Sequence, residues 1–275
     1  MKRPFRQVDV FGSGPYSGNP VAVVLEGQDL SEHEMQRFAN WTNLSETTFV
    51  LPPHDPEADY RLRIFTPIAE LPFAGHPTLG SAHAWLESGG SPRRPNRVIQ
   101  ESGAGLVEVR PTADRVAFAA PPLVRAGPVE ESLVDELAAV LGVDRAAVVD
   151  SQWVDNGPGW VAVLLSSAEE VLALRPGFID RPVGVVGPHA PGAPIAYEVR
   201  AFFPTDSAMV EDPVTGSLNA SLAQWLLSCG RAQAPYVAAQ GTALGRAGRV
   251  FIEVHEEEVW VGGAAVTCVE GSVEI

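Results

Sequence analysis

EDPVTGSLNASLAQWLL, Glu211 to Leu227, is the stretch on which the reading of this chain turns. Apolar residues at Leu218, Leu222, Trp225 and Leu226 keep a helical spacing, so a helix is expected to begin near Gly216. The first N–H groups of a helix have no partner inside it, and Gly216 with Ser217 leaves little side chain to block a ligand from them. An anion site is one reading. The other is that Asp212, Thr215 or Ser217 caps the helix and satisfies the same groups from within.

The stretch has a counterpart. In ELPFAGHPTLGSAHAWL, Glu70 to Leu86, the residues Glu70, Pro72, Gly75, Ala82 and Leu86 each stand 141 positions before Glu211, Pro213, Gly216, Ala223 and Leu227. Upstream, RIFTP (Arg63 to Pro67) answers RAFFP (Arg200 to Pro204), after which the second copy carries four extra residues. GNPVAVVL at Gly18 to Leu25 likewise resembles PGWVAVLL at Pro158 to Leu165. An internal duplication is expected, each half offering a strand, a Pro-bounded loop and a helix start. The period is far too long for a solenoid, and two similar lobes facing each other are the economical arrangement. They are expected at 1–120 and 121–263, divided at Pro121-Pro122, with a last strand at about 264–275 packing back on the first lobe because exposed strand edges tend to be covered.

Bulk properties narrow the function classes. Of 275 residues 45% are hydrophobic and 19% charged, a globular composition. The longest apolar runs, such as VAVVL and VAVLL, have strand length and fall far short of a membrane span, and no signal-peptide core follows MKRPFRQVDVF. A cytoplasmic protein without a membrane partner is expected. A formal charge of −15 argues against nucleic acid as a partner, since phosphate neutralisation needs clustered Lys and Arg. Cys229 and Cys268 lack CxxC spacing, so neither a disulfide framework nor a metal site is indicated. The sequons at Asn40, Asn43 and Asn219 matter only in a secreted protein and are discounted.

Taken in order, residues 6 to 11 and 20 to 25 read as a strand pair around GSGPYSGN. That Gly cluster is not a nucleotide loop, because it leads into a second strand and no Gly-Lys-Ser/Thr follows. Ser31 to Glu34 is a capping box opening a helix to about Asn40. NLSETTFVLPP then places Glu46 at the mouth of an apolar strand, where a solvated strand end is the plain structural alternative to a functional role. DYRLRIF alternates as a strand and leads to the first Gly-His-Pro helix, with His76 at the position matching Ser217 and Pro77 suited to the first turn. His83, two turns on, is expected to be structural. RVIQE, GLVEVR and RVAFAA read as strands, VEESLVDELAAVLG as an amphipathic helix, and YEVRAFFP as the strand feeding the opening stretch.

Two like lobes facing each other would bring two helix starts to one volume, with Asp212, Ser217, His76 and Glu46 as the candidate side chains. Such donors suit a small anionic substrate, a carboxylate, and the enolate-like charge that grows on it when an adjacent C–H is deprotonated. A carboxyl or imidazole then moves the proton, and no cofactor is needed.

NLSET at 43–47, PFAGHPTLGSA at 72–82, EDPVTGS at 211–217 and QGTALGRAG at 240–248 together resemble the phenazine-biosynthesis PhzF-like family over essentially the whole chain. The resemblance implies an α+β fold of the diaminopimelate-epimerase type: two pseudo-symmetric lobes, each a curved, barrel-like, mostly antiparallel sheet around a central helix. It also implies a homodimer and a cofactor-free isomerase, the type member isomerising trans-2,3-dihydro-3-hydroxyanthranilate by proton transfer. Position by position, the catalytic Glu falls on Glu46; His76 and Asp212 complete the implied catalytic set, and Ser217 lines the site with Gly75 and Gly216 supplying N–H groups. Relatives of this fold that racemise with two opposed Cys would place them at about Ala74 and Thr215 here, so two-thiol chemistry is not expected. An epimerase or lyase on another small carboxylate, or a silent small-molecule-binding paralogue, are the alternatives. Loops near Pro15 to Asn19, His189 to Pro194 and Thr205 to Val210 are expected to select the substrate.

Overall fold

The computed structural model describes residues 1–205 and 208–275. Asp206 and Ser207, in one of the loops expected to select substrate, lie outside the described residues. The chain divides into two compact units, Met1–Ala119 with Gly262–Ile275, and Ala120–Val261. The class is α+β with mostly antiparallel strands, as read from the sequence.

In the first unit β1 (Lys2–Val10) pairs antiparallel with β2 (Asn19–Val24). The chain then crosses through α1 (Glu32–Thr42) to β3 (Glu46–Leu51), which runs parallel to β2. Ser31 forms the capping box with Glu34, and Asn43 closes the helix in the left-handed conformation that Asn tolerates. β4 (Tyr60–Phe65) pairs antiparallel with β3 and with the two-residue β5 (Glu70–Leu71). After α2 (Gly75–Glu87) comes β6 (Val98–Ser102), parallel to β4, followed by the antiparallel β7 (Gly105–Pro111) and β8 (Val116–Ala119).

The second unit adds β9 (Arg125–Pro128) and α3 (Glu131–Leu141), and then repeats that order. β10 (Asp150–Asp155) and β11 (Val161–Leu164) are antiparallel, α4 (Ala168–Ala173) crosses to the parallel β12 (Val183–Pro188), and β13 (Tyr197–Pro204) pairs back on β12. The short β14 (Met209–Asp212) precedes α5 (Gly216–Ser228), and β15 (Tyr236–Gln240) is parallel to β13. β16 (Gly248–His255) and β17 (Glu258–Gly263) follow, and β18 (Ala265–Glu274) pairs antiparallel with β1 in the first unit.

The two long helices are apolar or small nearly all round, which is the mark of a helix enclosed by its own sheet. Nine of the thirteen residues of each, α2 and α5, are buried. Gly80 shows how close the approach is: a Cβ there would stand 2.4 Å from Val21 Cγ1 on β2. Amphipathic elements cover the outsides instead. In the first unit α1 buries Met35 and Ala39 against Val24, Phe49 and Phe65, and in the second α3 buries Val134, Leu137 and Leu141 among Trp153, Val163 and Val185.

Candidate active site

In the first unit the site begins where β5 ends and α2 starts. Ala74 is the N-cap of α2, with extended backbone and no side-chain capping bond, so Gly75 and His76 open the helix with N–H groups that no cap takes up. His76 is almost fully buried in this first turn. Its Nε2 comes within 3.2 Å of Glu46 Oε2, and its Nδ1 lies 3.4 Å from the Asn19 side-chain amide. Glu46 is the first residue of β3, held beside α2 because β3 is parallel to β2. Burial drives the His76 pKa down to about 3, outweighing a hydrogen bond to the backbone of Pro20 that works the other way. Its imidazole is therefore neutral at ordinary pH. Glu46 and His76 meet, which removes the plain reading of Glu46 as a solvated strand end.

The second unit builds its counterpart from other side chains. Thr215 is the N-cap of α5, again without a side-chain capping bond. Of the capping alternatives, the one resting on Thr215 is corrected: as N-cap it makes no side-chain capping bond, because its hydroxyl is engaged by Asp212. The Thr215 hydroxyl donates to Asp212 Oδ2 at 2.5 Å, and the Thr215 N–H donates to Gln240 Oε1 at 3.0 Å. Ser217 Oγ accepts from the indole N–H of Trp160 at 3.1 Å, and its carbonyl accepts from the Asn156 amide at 2.9 Å. The fully buried Gln240 also accepts from Asn219 and donates to the Thr215 hydroxyl and the Asp212 carbonyl. Asp212, Thr215 and the start of α5 are thus bonded into one network.

Trp160, Asn156 and Asn219 escaped the sequence reading as site residues, and Asn19 entered it only as the end of a loop expected to select the substrate. Asn219 entered it only as a discounted sequon, and its buried amide is spent on Gln240 and on Thr215 O. The one available signal was that Asn19 and Trp160 sit in the two matching segments GNPVAVVL and PGWVAVLL. Of the expected substrate-selecting loops, Pro15 to Asn19 is held from below. The Asp9 carboxylate accepts from the N–H groups of Ser17 and Gly18, each at 2.9 Å. His189 reaches 3.2 Å from the buried Glu198. His83 pairs with Glu87 one turn along the same helix, at 3.3 Å.

Both cysteines are free: Cys229 is at the far end of α5 and Cys268 is in β18, while Ala74 and Thr215 occupy the helix caps. Among the described residues no group of three or more His, Cys, Asp or Glu is arranged to hold a metal ion, and no helix is long and apolar enough to cross a membrane.

The family model of the phenazine biosynthesis-like proteins, PhzC-PhzF, matches residues 8–271. Antisense-enhancing sequence 1 of Schizosaccharomyces pombe is 37% identical, covering 97% of each chain. The trans-2,3-dihydro-3-hydroxyanthranilate isomerase of Pseudomonas aeruginosa is 38% identical, over 89% of this chain and 87% of that protein. Among solved structures, a PhzF-family phenazine biosynthesis protein of Enterococcus faecalis superposes with a TM-score of 0.81 at 27% identity, covering all of both chains.

Proposed function

This chain belongs to the PhzC-PhzF family of phenazine biosynthesis-like proteins and is an isomerase, and from that premise we propose that it moves a proton on a small carboxylate substrate with Glu46 as the base that removes the proton and the acid that returns it. The observation that carries the reading is the 3.2 Å approach of Glu46 to a neutral, buried His76 at the uncapped start of α2. Glu46 takes H⁺ from a carbon of the substrate, the electron pair left behind delocalises into the adjacent unsaturated system, and the carboxylic acid so formed delivers H⁺ to a second carbon. No electrons are gained or lost, so the balance closes without a redox partner. A neutral imidazole beside the carboxylate orients it without pairing with it as a cation.

Gly75 is proposed to donate its N–H to the substrate anion, where the helix start favours negative charge. Gly216 and Ser217 are proposed to bind substrate in the same way, and Asp212 to complete the catalytic set. A duplicated origin for the two units, cytoplasmic location and a homodimer belong to the same proposal. The shared element order and the matching sequence stretches support the first, and family resemblance supports the dimer.

The test is solvent deuterium uptake by trans-2,3-dihydro-3-hydroxyanthranilate, the compound named for the relative. Glu46→Gln removes the base while keeping shape, and uptake should fall by at least roughly 10²- to 10⁴-fold with an unchanged melting temperature. Undiminished uptake in a folded Glu46→Gln protein would sink the assignment.

A further inference from the structure

We propose that Trp160 is a positioning residue for substrate binding: its indole N–H fixes the Ser217 hydroxyl so that the hydroxyl proton is presented outward, as a donor to an anionic ligand. This rests on the reading above that Ser217 faces the substrate. A serine hydroxyl has one proton and two acceptor sites, and left alone it rotates to suit any neighbour. Indole N–H is donor-only, so the 3.1 Å bond from Trp160 Nε1 takes up one Ser217 lone pair and turns the hydroxyl proton away from the indole, towards the remaining open directions. No hydrogen bond donated by Ser217 Oγ is found within the described residues, so its proton is available to a ligand.

The surroundings hold Trp160 for this task. It is fully buried, with its ring edge-on to Phe203 at 4.6 Å between centroids. The turn that delivers it to β11 is gripped by Asp155, whose Oδ1 accepts from the N–H groups of Gly157 and Gly159 at 2.7 and 2.6 Å. Both glycines carry positive φ, 136° and 91°, which a side chain would resist. The preceding residue of the same turn, Asn156, holds the Ser217 carbonyl, so one loop fixes both the backbone and the hydroxyl of that residue.

The first unit shows why a Trp is needed here. In the matching segments Pro20 stands where Trp160 does, and His76 stands where Ser217 does. A large first-turn side chain is paired there with a small strand residue that has no N–H to give, and a neighbouring amide, Asn19, approaches the imidazole instead. In the second unit the first-turn residue is small, and the strand supplies both the missing volume and the donor.

The experiment is a mutant cycle on binding of trans-2,3-dihydro-3-hydroxyanthranilate, measured by calorimetry in the Glu46→Gln background. Trp160→Phe keeps an aromatic ring against Phe203 and removes only the N–H. It should weaken binding roughly fivefold to tenfold, as one neutral hydrogen bond does, and Ser217→Ala should do the same. The double variant should be no weaker than either, and melting temperatures should change little. In the protein with Glu46 restored, Trp160→Phe should raise KM with little change in kcat. Unchanged affinity in Trp160→Phe, multiplying effects in the double variant, or no effect of Ser217→Ala would each overturn the proposal. So would failure of the parent protein to bind the probe, since Ser217 would then have no such ligand to meet. Persistent turnover in the Glu46→Gln parent would instead strike the catalytic reading and leave this binding cycle interpretable.

Discussion

The same Arg–Glu clamp is built twice, once in water and once out of it. In the first unit Arg63 on β4 forks onto Glu70 on β5 at 2.7 and 2.6 Å, and in the second Arg200 on β13 forks onto Glu211 on β14 at 3.0 and 2.7 Å. Each guanidinium also lies 5.0 Å from the ring of the Phe two residues on, Phe65 or Phe202. The third partner differs. Arg63 reaches Glu32, an exposed carboxylate at the start of α1, whereas Arg200 donates to the carbonyls of Val171 and Leu174 at the end of the short α4. The side chains of Arg200 and Glu211 are 6% and 9% exposed, against 15% and 35% for Arg63 and Glu70. Identical bonds therefore carry different energies. A pair screened by water is worth little, while a buried pair is costly to half-remove because the remaining charge has no solvent.

The largest effect should come from halving the buried clamp. Arg200→Leu strands Glu211 and removes one donor from each of two helix-end carbonyls, and thermal or denaturant unfolding should show a loss of roughly 3–5 kcal/mol. Replacing both partners, Arg200→Met with Glu211→Leu, should recover much of that loss, since the buried charge leaves with its partner. A double variant as unstable as the single one would show that the carbonyl bonds, rather than the ion pair, dominate. Because Glu211 immediately precedes Asp212, the single variant should also disturb the network of Thr215 and Gln240 at the start of α5.

What the sequence could show follows from how far each rule reaches. The capping box at Ser31, the helical spacing after Gly216 and the alternation of DYRLRIF are settled within a few residues, and all three elements are where those patterns put them. The clamps are not local. Their four residues stood in plain view within the repeated segments, yet nothing nearby says that Arg200 bonds a Glu eleven positions on, since only the register of β13 on β14 brings them together. The strand Arg125–Pro128 (RAGP) was missed for a similar reason. It has no alternation and is a strand because β10 pairs with it. In the candidate site the two helix starts were legible from Gly and Pro, but the supports of the first-turn residues were not. Trp160 reaches Ser217 across 57 positions, and Asn19 reaches His76 across the same number.

Those first-turn residues give the next effect, smaller than that of the buried clamp. His76 titrates in the accessible range and Ser217 does not, so the two helix starts must respond differently to acid. The folded-state pKa of His76 is about 3, below its ordinary 6.5, so between those values the unfolded chain binds a proton that the folded chain refuses. Stability from this group is complete above pH 6.5 and is lost as pH falls towards 3. Against a His76→Gln control, the wild-type protein should lose about 2–3 kcal/mol between pH 6.5 and 4.5, the limit set by one proton over two units. Parallel stability curves for the two proteins would mean that His76 takes up its proton in the folded state, and the neutral imidazole proposed beside Glu46 would go with it.

The smallest effect belongs to the exposed clamp, and it is the sharper half of the comparison because a naive count of bonds predicts the opposite. Arg63 makes three ion-pair hydrogen bonds to two carboxylates, and Arg200 makes two to one. If bond number set the energy, Arg63→Leu would be the worse variant. Water at Glu70 and at the 72% exposed Glu32 replaces what the guanidinium gave, so the expected loss is within about 1 kcal/mol and should shrink further in high salt. Arg200→Leu should be insensitive to salt, because counterions do not reach a buried charge. Equal losses in the two variants, or equal salt dependence, would show that burial is not what separates the clamps.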